Sequence, residues 1–391
     1  MSLVSETKKL KSVETILAHA QSSVGKEVGG ATQRGVCFAS TYSRNLDGTF
    51  DDERIYGRDD NPTLQALETV VAAAERGADA LAFSSGMAAI SAFLSSLPPG
   101  GRVLTPTTLY YGVESWLAKF AERLNLTASA VDQEDLGAVA GALQHGDVAA
   151  IWIETPGNPF LNIVDIEAIA LLAEAHGAIV IVDSSVAPPC LSQPLTLGAH
   201  FVVHSATKYL GGHSDLLGGV ISARQSDALW RKIRSYRYQN GSQLSAFDSW
   251  LLSRSLETLT VRMARISETA MSIAEWLERD PRISKVYYPG LESHANHAVA
   301  KRQMRAGYSG LLSFCIEQGA EAAFSFTNNL TIAKRATSFG GVQTTVEHHA
   351  SIRSLYDAHT QVPGSLVRMS VGLENKDDLL SDIDAALAAC V

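Results

Sequence analysis

Cysteine is scarce in this chain: four in 391 residues, at Cys37, Cys190, Cys315 and Cys390. They are scattered, without metal-ligand spacing, and too few for a disulfide scaffold. They read as reduced thiols and give the expectation of a cytoplasmic protein. No apolar run is long enough to span a bilayer, and the opening stretch Met1–Lys9 is polar, unlike a signal peptide. Basic residues are the minority. The 32 Lys and Arg stand against 41 Asp and Glu, a net charge of −9, which argues against nucleic acid as a partner. There is no internal repeat and no low-complexity segment. The Gly-x-Gly-x-x-Gly fingerprint after the first strand is missing as well, which argues against a nicotinamide-binding Rossmann protein. What remains is a chain with 46% hydrophobic and 19% charged residues, long enough for two domains and a large core.

The stretch that organises the chain is Ser205–Asp215, which carries Lys208. It follows a β-branched apolar run over 200–204 that reads as a buried strand. A lysine at the end of such a strand, with Ser205 and Thr207 beside it, suits a covalent aldehyde cofactor, because desolvation disfavours the ammonium and favours a Schiff base. A second apolar run, over 178–182, ends in Asp183. An acid at the carboxyl end of a parallel strand faces the crevice where α/β proteins bind ligands. Pyridoxal phosphate needs such a carboxylate beside its ring nitrogen, and with it the ring becomes an electron sink. A helix N-cap is the bland alternative for Asp183.

Residues 183–219, above all Ser205-Ala-Thr-Lys208-Tyr and Gly212-His-Ser-Asp215 with Gly218-Gly219, resemble the signature of the Cys/Met-metabolism family of pyridoxal phosphate enzymes. Weaker matches run along nearly the whole chain. The resemblance implies an α/β fold of type I, the aspartate aminotransferase-type large domain with a mostly parallel sheet and a smaller C-terminal α+β domain. The expected division is an arm over 1–60, a cofactor domain over 61–255 and a C-terminal domain over 256–391.

Further matches place the site residues. Tyr56-Gly-Arg58 before Asn61-Pro-Thr resembles the segment that crosses to the neighbouring subunit and holds its cofactor phosphate; an Arg fork suits two phosphate oxygens. By themselves these residues read as a turn before a helix. Strand, small residues, then helix at 78–90 is the geometry of an anion site. The resemblance implies Gly86 and Met87 as backbone donors there, and Ser205 and Thr207 as further cofactor contacts. It implies Tyr111, with Tyr110 as rival, stacked on the cofactor ring and active in proton transfer. Glu154-Thr-Pro-Gly-Asn158-Pro implies a bond from Asn158 to the cofactor's phenolic oxygen. The Ser338 segment and Arg368 are implied to hold the substrate α-carboxylate, a structural ion pair being the alternative for Arg368. Gln343 stands where the family usually carries a Glu toward the distal end of the substrate.

The chain departs from the narrower patterns. Val113 replaces the Cys of methionine γ-lyase, and Trp116 the Arg of cystathionine enzymes. The expected activity is γ-elimination from a γ-substituted L-amino acid, methionine-, cystathionine- or canavanine-like, with Lys208 and Tyr111 catalytic. The rivals are γ-replacement, β-elimination from cystathionine and a silent binding protein on the same scaffold. The shared site implies a homo-oligomer, a dimer paired into a tetramer. No membrane, nucleic-acid or metal partner is expected.

Overall fold

The structure is a computed structural model that describes residues 11–22, 31–50, 54–356 and 362–390. The polar opening Met1–Lys9 and part of the irregular segment expected over 25–60 lie outside the described residues. The described remainder of that segment, 31–50 and 54–60, holds no helix, and its one strand-like feature is a bridge between Thr41 and Tyr56.

Seven strands form the larger sheet: β1 (Asp79–Phe83), β2 (Arg102–Pro106), β3 (Thr127–Val131), β4 (Val148–Glu154), β5 (Ile179–Asp183), β6 (Phe201–Ser205) and β7 (Gly219–Ala223). Their order is β1-β7-β6-β5-β4-β2-β3, and every pair is parallel except those that β7 makes with β1 and β6. The reason lies in the runs themselves. In β4, Ala150 and Trp152 enter one apolar cluster while Ile151 and Ile153 enter the cluster on the opposite face. A strand buried on both faces reads as continuous apolar sequence, and helices cover each side. Asn61 caps the helix Pro62–Ala74, its Oδ1 accepting from Thr63 N at 2.9 Å, with Pro62 at the first helical position. β3 carries no apolar run and is largely exposed at the sheet edge, so its sequence does not announce it.

A second sheet contains β8 (Ile283–Tyr287), β9 (Leu311–Ile316), β10 (Lys334–Arg335), β11 (Thr345–His348) and β12 (Leu366–Ser370), in the order β10-β11-β12-β9-β8. It is antiparallel apart from the short β10–β11 pair. The long helix expected over 256–279 is present as Leu259–Arg279, beginning three residues later, after a separate helix Ala246–Leu256. At the junction Arg262 reaches back to Thr258 Oγ1 (3.1 Å) and to the Ser255 carbonyl (2.8 Å), at the end of the preceding helix. The alternation of strands and helices followed by a second α+β unit agrees with the expected fold class.

Candidate active site

Three parallel strands end at one place. β4, β5 and β6 deliver Glu154, Asp183 and Ser205 at their carboxyl ends, Glu154 lying opposite Asp183 in the β4–β5 register. The carboxyl edge of a parallel sheet is where connections diverge and leave a crevice. Here it is a cavity of about 470 Å³. Gly86, Met87, Tyr111, Asn158 and Asp183 line it, and so do Ser205, Thr207, Lys208, Ser338 and Arg368. Tyr56, Arg58 and Gln343 do not.

Lys208 sits in a tight turn after β6. Its N–H donates to Ser205 O (3.1 Å), its carbonyl accepts from Gly212 N (2.7 Å), and Thr207 Oγ1 accepts from Gly218 N (3.1 Å). The amine donates to Ser338 Oγ at 2.6 Å and lies 5.0 Å from the centre of the Phe339 ring. Burial, with help from the Arg368 charge, lowers its pKa to about 8, against the pull of Asp183. Ser338 is held at φ +74°, a left-handed conformation costly for a side-chain-bearing residue and of the kind that collects at functional sites. Beside it, Gly340 has φ +87°, and a Cβ there would stand 2.7 Å from Tyr209 N. Only glycine lets this segment lie against the lysine turn.

The acids form a pair. Burial raises the pKa of Asp183, while hydrogen bonds from Ser185 and the nearness of His204 and Lys208 act the other way. Glu154 is pushed up to about 8, by burial first and then by the charge of Asp183. Its two oxygens each accept from Tyr110 N at 3.1 Å, and Oε1 also accepts from Trp152 Nε1 at 3.2 Å. Glu154 thus anchors the start of the helix Tyr111–Phe120. The Tyr110 and Tyr111 rings stand 4.7 Å apart at 63°, and both line the cavity. Burial, helped by the Tyr111 hydroxyl, raises the Tyr110 phenol well above its usual range.

At another wall, Ser85 caps the helix Gly86–Ser96, its Oγ accepting from Ala88 N at 3.0 Å. The N–H groups of Gly86 and Met87 belong to the first turn and have no intrahelical acceptor, so they offer an anion two donors at the positive end of the helix. Opposite, Arg368 on β12 is buried. It donates to Asn158 Oδ1 (3.1 Å) and Ser338 O (2.9 Å). Burial lowers its pKa to about 10. Among the described residues no carboxylate forms an ion pair with it; Glu347, across the β11–β12 pair, acts only at longer range. A buried guanidinium met by neutral oxygens is poised for an anion.

Tyr56 and Arg58 are exposed at the surface, Arg58 lying over the rings of Tyr56 (5.5 Å) and Tyr238 (4.9 Å). Gln343 is exposed and accepts from Lys334 Nζ at 2.9 Å. The cavity also takes in residues that sequence reasoning gave no role: Glu154, Phe339, His349 and Ile352. Phe339 follows Ser338 in the chain. His349 and Ile352 are one turn apart on the helix His349–Tyr356, and this spacing was the available signal.

The donor set fits pyridoxal 5′-phosphate: an amine that deprotonates near 8, a carboxylate at a strand end, aromatic faces and helix N–H groups around one cavity. Among the described residues no cluster of His, Cys, Asp and Glu could hold a metal ion, and no helix is long and apolar enough to cross a membrane.

Comparison with known proteins agrees. The family model of the Cys/Met metabolism PLP-dependent enzymes matches residues 14–388. The chain is 38% identical to the cystathionine β-lyase of Lactococcus lactis subsp. cremoris over 97% of its own length and 99% of that protein. It is 41% identical to the cystathionine γ-synthase of Mycobacterium bovis over 92% of each. The crystal structure of cystathionine γ-lyase from Lactobacillus plantarum complexed with L-serine superposes with a TM-score of 0.90 at 34% identity, covering 97% of this chain and 99% of that one. The protein is therefore a member of the Cys/Met metabolism family of PLP-dependent lyases and synthases, and its cofactor is pyridoxal 5′-phosphate.

Proposed function

We propose that the protein is a γ-lyase acting on a γ-substituted L-amino acid. One observation carries this reading: the Lys208 amine, with its pKa lowered to about 8, lies between the strand-end acids and the Arg368 guanidinium, which has no carboxylate partner among the described residues. When bound, the cofactor supplies an electron sink for the carbon that loses its proton. Lys208 would hold it covalently, with Asp183 as the partner for its ring nitrogen and Asn158 for its phenolic oxygen. Tyr111 would stack on the ring, with Tyr110 as the rival for that role. Gly86, Met87, Ser205 and Thr207 would hold the phosphate, joined by Tyr56 and Arg58 of a neighbouring copy. Arg368 and the Ser338 segment bind the substrate α-carboxylate, and Gln343 borders the distal approach.

The chemistry then needs protons taken from Cα and from Cβ, and one given to the departing γ-substituent. Once the substrate amine has replaced it on the cofactor, Lys208 Nζ, near neutrality in its proton affinity, would take the proton from Cα, hand it on, and then take one from Cβ. Tyr111 gives a proton to the γ-substituent as the Cγ bond breaks and its electron pair leaves with that group. We further propose the three-part division at 60 and 255, a dimer with shared sites paired into a tetramer, and residence in the cytoplasm.

γ-Replacement and β-elimination use the same groups, so the test is a substrate panel. Methionine, cystathionine, canavanine and O-acetylhomoserine are offered with and without added thiol, beside β-substituted amino acids, and products are identified by mass spectrometry. The expected result is a 2-oxo acid from γ-substituted compounds without thiol. Oxo acid from β-substituted compounds alone overturns the reading.

A further inference from the structure

Of the two acids on the cavity wall, Asp183 has a part in the reading above and Glu154 has none. Glu154 is 7% exposed, ends β4 and lies opposite Asp183 in the β4–β5 register. It holds the start of the helix Tyr111–Phe120, and that start lacks the residues that usually secure one. A helix is commonly closed at its first turn by a Ser, Thr or Asp at the N-cap and by a Glu or Gln three residues on, whose side chain returns to the N-cap N–H. Here the N-cap is Tyr110, whose side chain makes no capping bond, and the third helical residue is the buried Val113. The acceptor comes instead from another strand. Both Glu154 oxygens accept from Tyr110 N at 3.1 Å, across 44 residues of sequence. The carboxyl is steadied in turn by the buried Trp152, whose Nε1 donates to Oε1 at 3.2 Å.

Both tyrosines of the cavity depend on this attachment. Tyr110 is the N-cap and Tyr111 the first residue of the helix, so fraying or tilting of the first turn moves both rings. The Tyr110 ring lies back over Gly112, where a Cβ would stand 2.6 Å from Tyr110 Cε1 and 3.0 Å from Met87 Sδ. Met87 is in the first turn of the helix Gly86–Ser96, whose N–H groups are open to an anion, and the two tyrosine rings stand 4.7 Å apart. We propose that Glu154 is a positioning residue for the reaction: by capping the tyrosine helix from the end of β4, it sets where the tyrosine rings stand relative to the cofactor ring. The role needs an oxygen at the N-cap N–H, not a charge. Without that oxygen the N–H has no acceptor and the first turn loses its tie to the strand end. A small displacement of a group that must meet the reacting atoms costs far more in rate than the lost bond costs in stability.

This deepens the γ-lyase reading and rests on it for the part a tyrosine plays, but its first readout needs no turnover. Glu154→Leu, Glu154→Gln and Trp152→Phe are compared with the wild type as holoenzymes. Visible circular dichroism of the bound cofactor reports the aromatic groups around its ring, and kcat and KM are taken on the substrate that the panel identifies. Glu154→Leu is expected to retain the cofactor but lose about half or more of the dichroism. Its kcat is expected to fall about tenfold or more, with KM changed by less than about threefold because Arg368 still takes the α-carboxylate. Glu154→Gln, whose amide oxygen still accepts from Tyr110 N, is expected to keep most of the dichroism and a kcat within about fivefold of the wild type. Trp152→Phe keeps the core filled but releases the carboxyl, and is expected to fall between. Both Glu154 variants remove the acid beside Asp183, so the difference between them isolates the capping. Wild-type dichroism in Glu154→Leu, or a Glu154→Gln variant as impaired as Glu154→Leu, overturns the proposal. Should Glu154→Leu fail to fold, wild-type dichroism in Trp152→Phe overturns it. Failure of the γ-lyase reading would appear separately, in the products of the panel.

Discussion

Glu154 shows how much a single side chain in this site depends on its neighbours. In isolation it is an acid at the end of an apolar run. In the fold it is buried beside Asp183, carries both oxygens on Tyr110 N, and has its pKa pushed up to about 8. A carboxyl whose folded value lies above its unfolded one binds its proton more tightly when folded. Its contribution to stability is complete below the unfolded value near 4.5 and is lost as pH rises through about 8. The cofactor-free wild type is therefore expected to lose apparent Tm between pH 5 and pH 8.5. Glu154→Gln, which cannot ionise, is expected to lose several degrees less over the same range. Parallel Tm curves for the two proteins would show that Glu154 does not titrate there. Lys208 was legible in the sequence because the motif around it is specific. Its lowered pKa was not, since that follows from burial and from Arg368, far along the chain on another sheet.

At the scale of elements, the carboxyl ends of β4, β5 and β6 were readable from apolar runs that stop at Glu154, Asp183 and Ser205. β3 and β10 were not, being short and exposed, with pairing that depends on what lies beside them. The junction between the helices Ala246–Leu256 and Leu259–Arg279 was readable to within a few residues, but its tie to the lysine turn was not. Arg262 is buried and donates from Nη1 to Tyr209 O (2.8 Å) and from Nη2 to Ser255 O (2.8 Å), with a longer bond to Leu210 O (3.4 Å). One guanidinium thus holds the end of one helix and the start of another against the segment that follows Lys208. Arg262→Met fits a similar volume but leaves these carbonyls without their donor. It is expected to cost about 3 kcal/mol, read as a lower urea midpoint. An unchanged midpoint would mean that the clamp contributes nothing.

At the scale of the molecule, Tyr56 and Arg58 lie on the surface and outside the cavity of their own chain. If they serve the site of a neighbouring copy, Arg58→Ala is expected to weaken cofactor retention about tenfold or more on dialysis while leaving the fold intact by circular dichroism. Wild-type retention by a verified monomer would contradict the shared site. The sequence by itself determined the chemistry and the class of fold. A lysine and an acid at the ends of two β-branched runs, within a specific motif, specify both, because local pattern suffices to place strand ends on one edge of a parallel sheet. The tertiary structure alone decided which side chains face the cavity, that His349 does and Gln343 does not, and how far burial shifts Lys208 and Glu154. Those properties arise from contacts between residues distant in the chain, and no local pattern encodes the dielectric or the charges that another element brings.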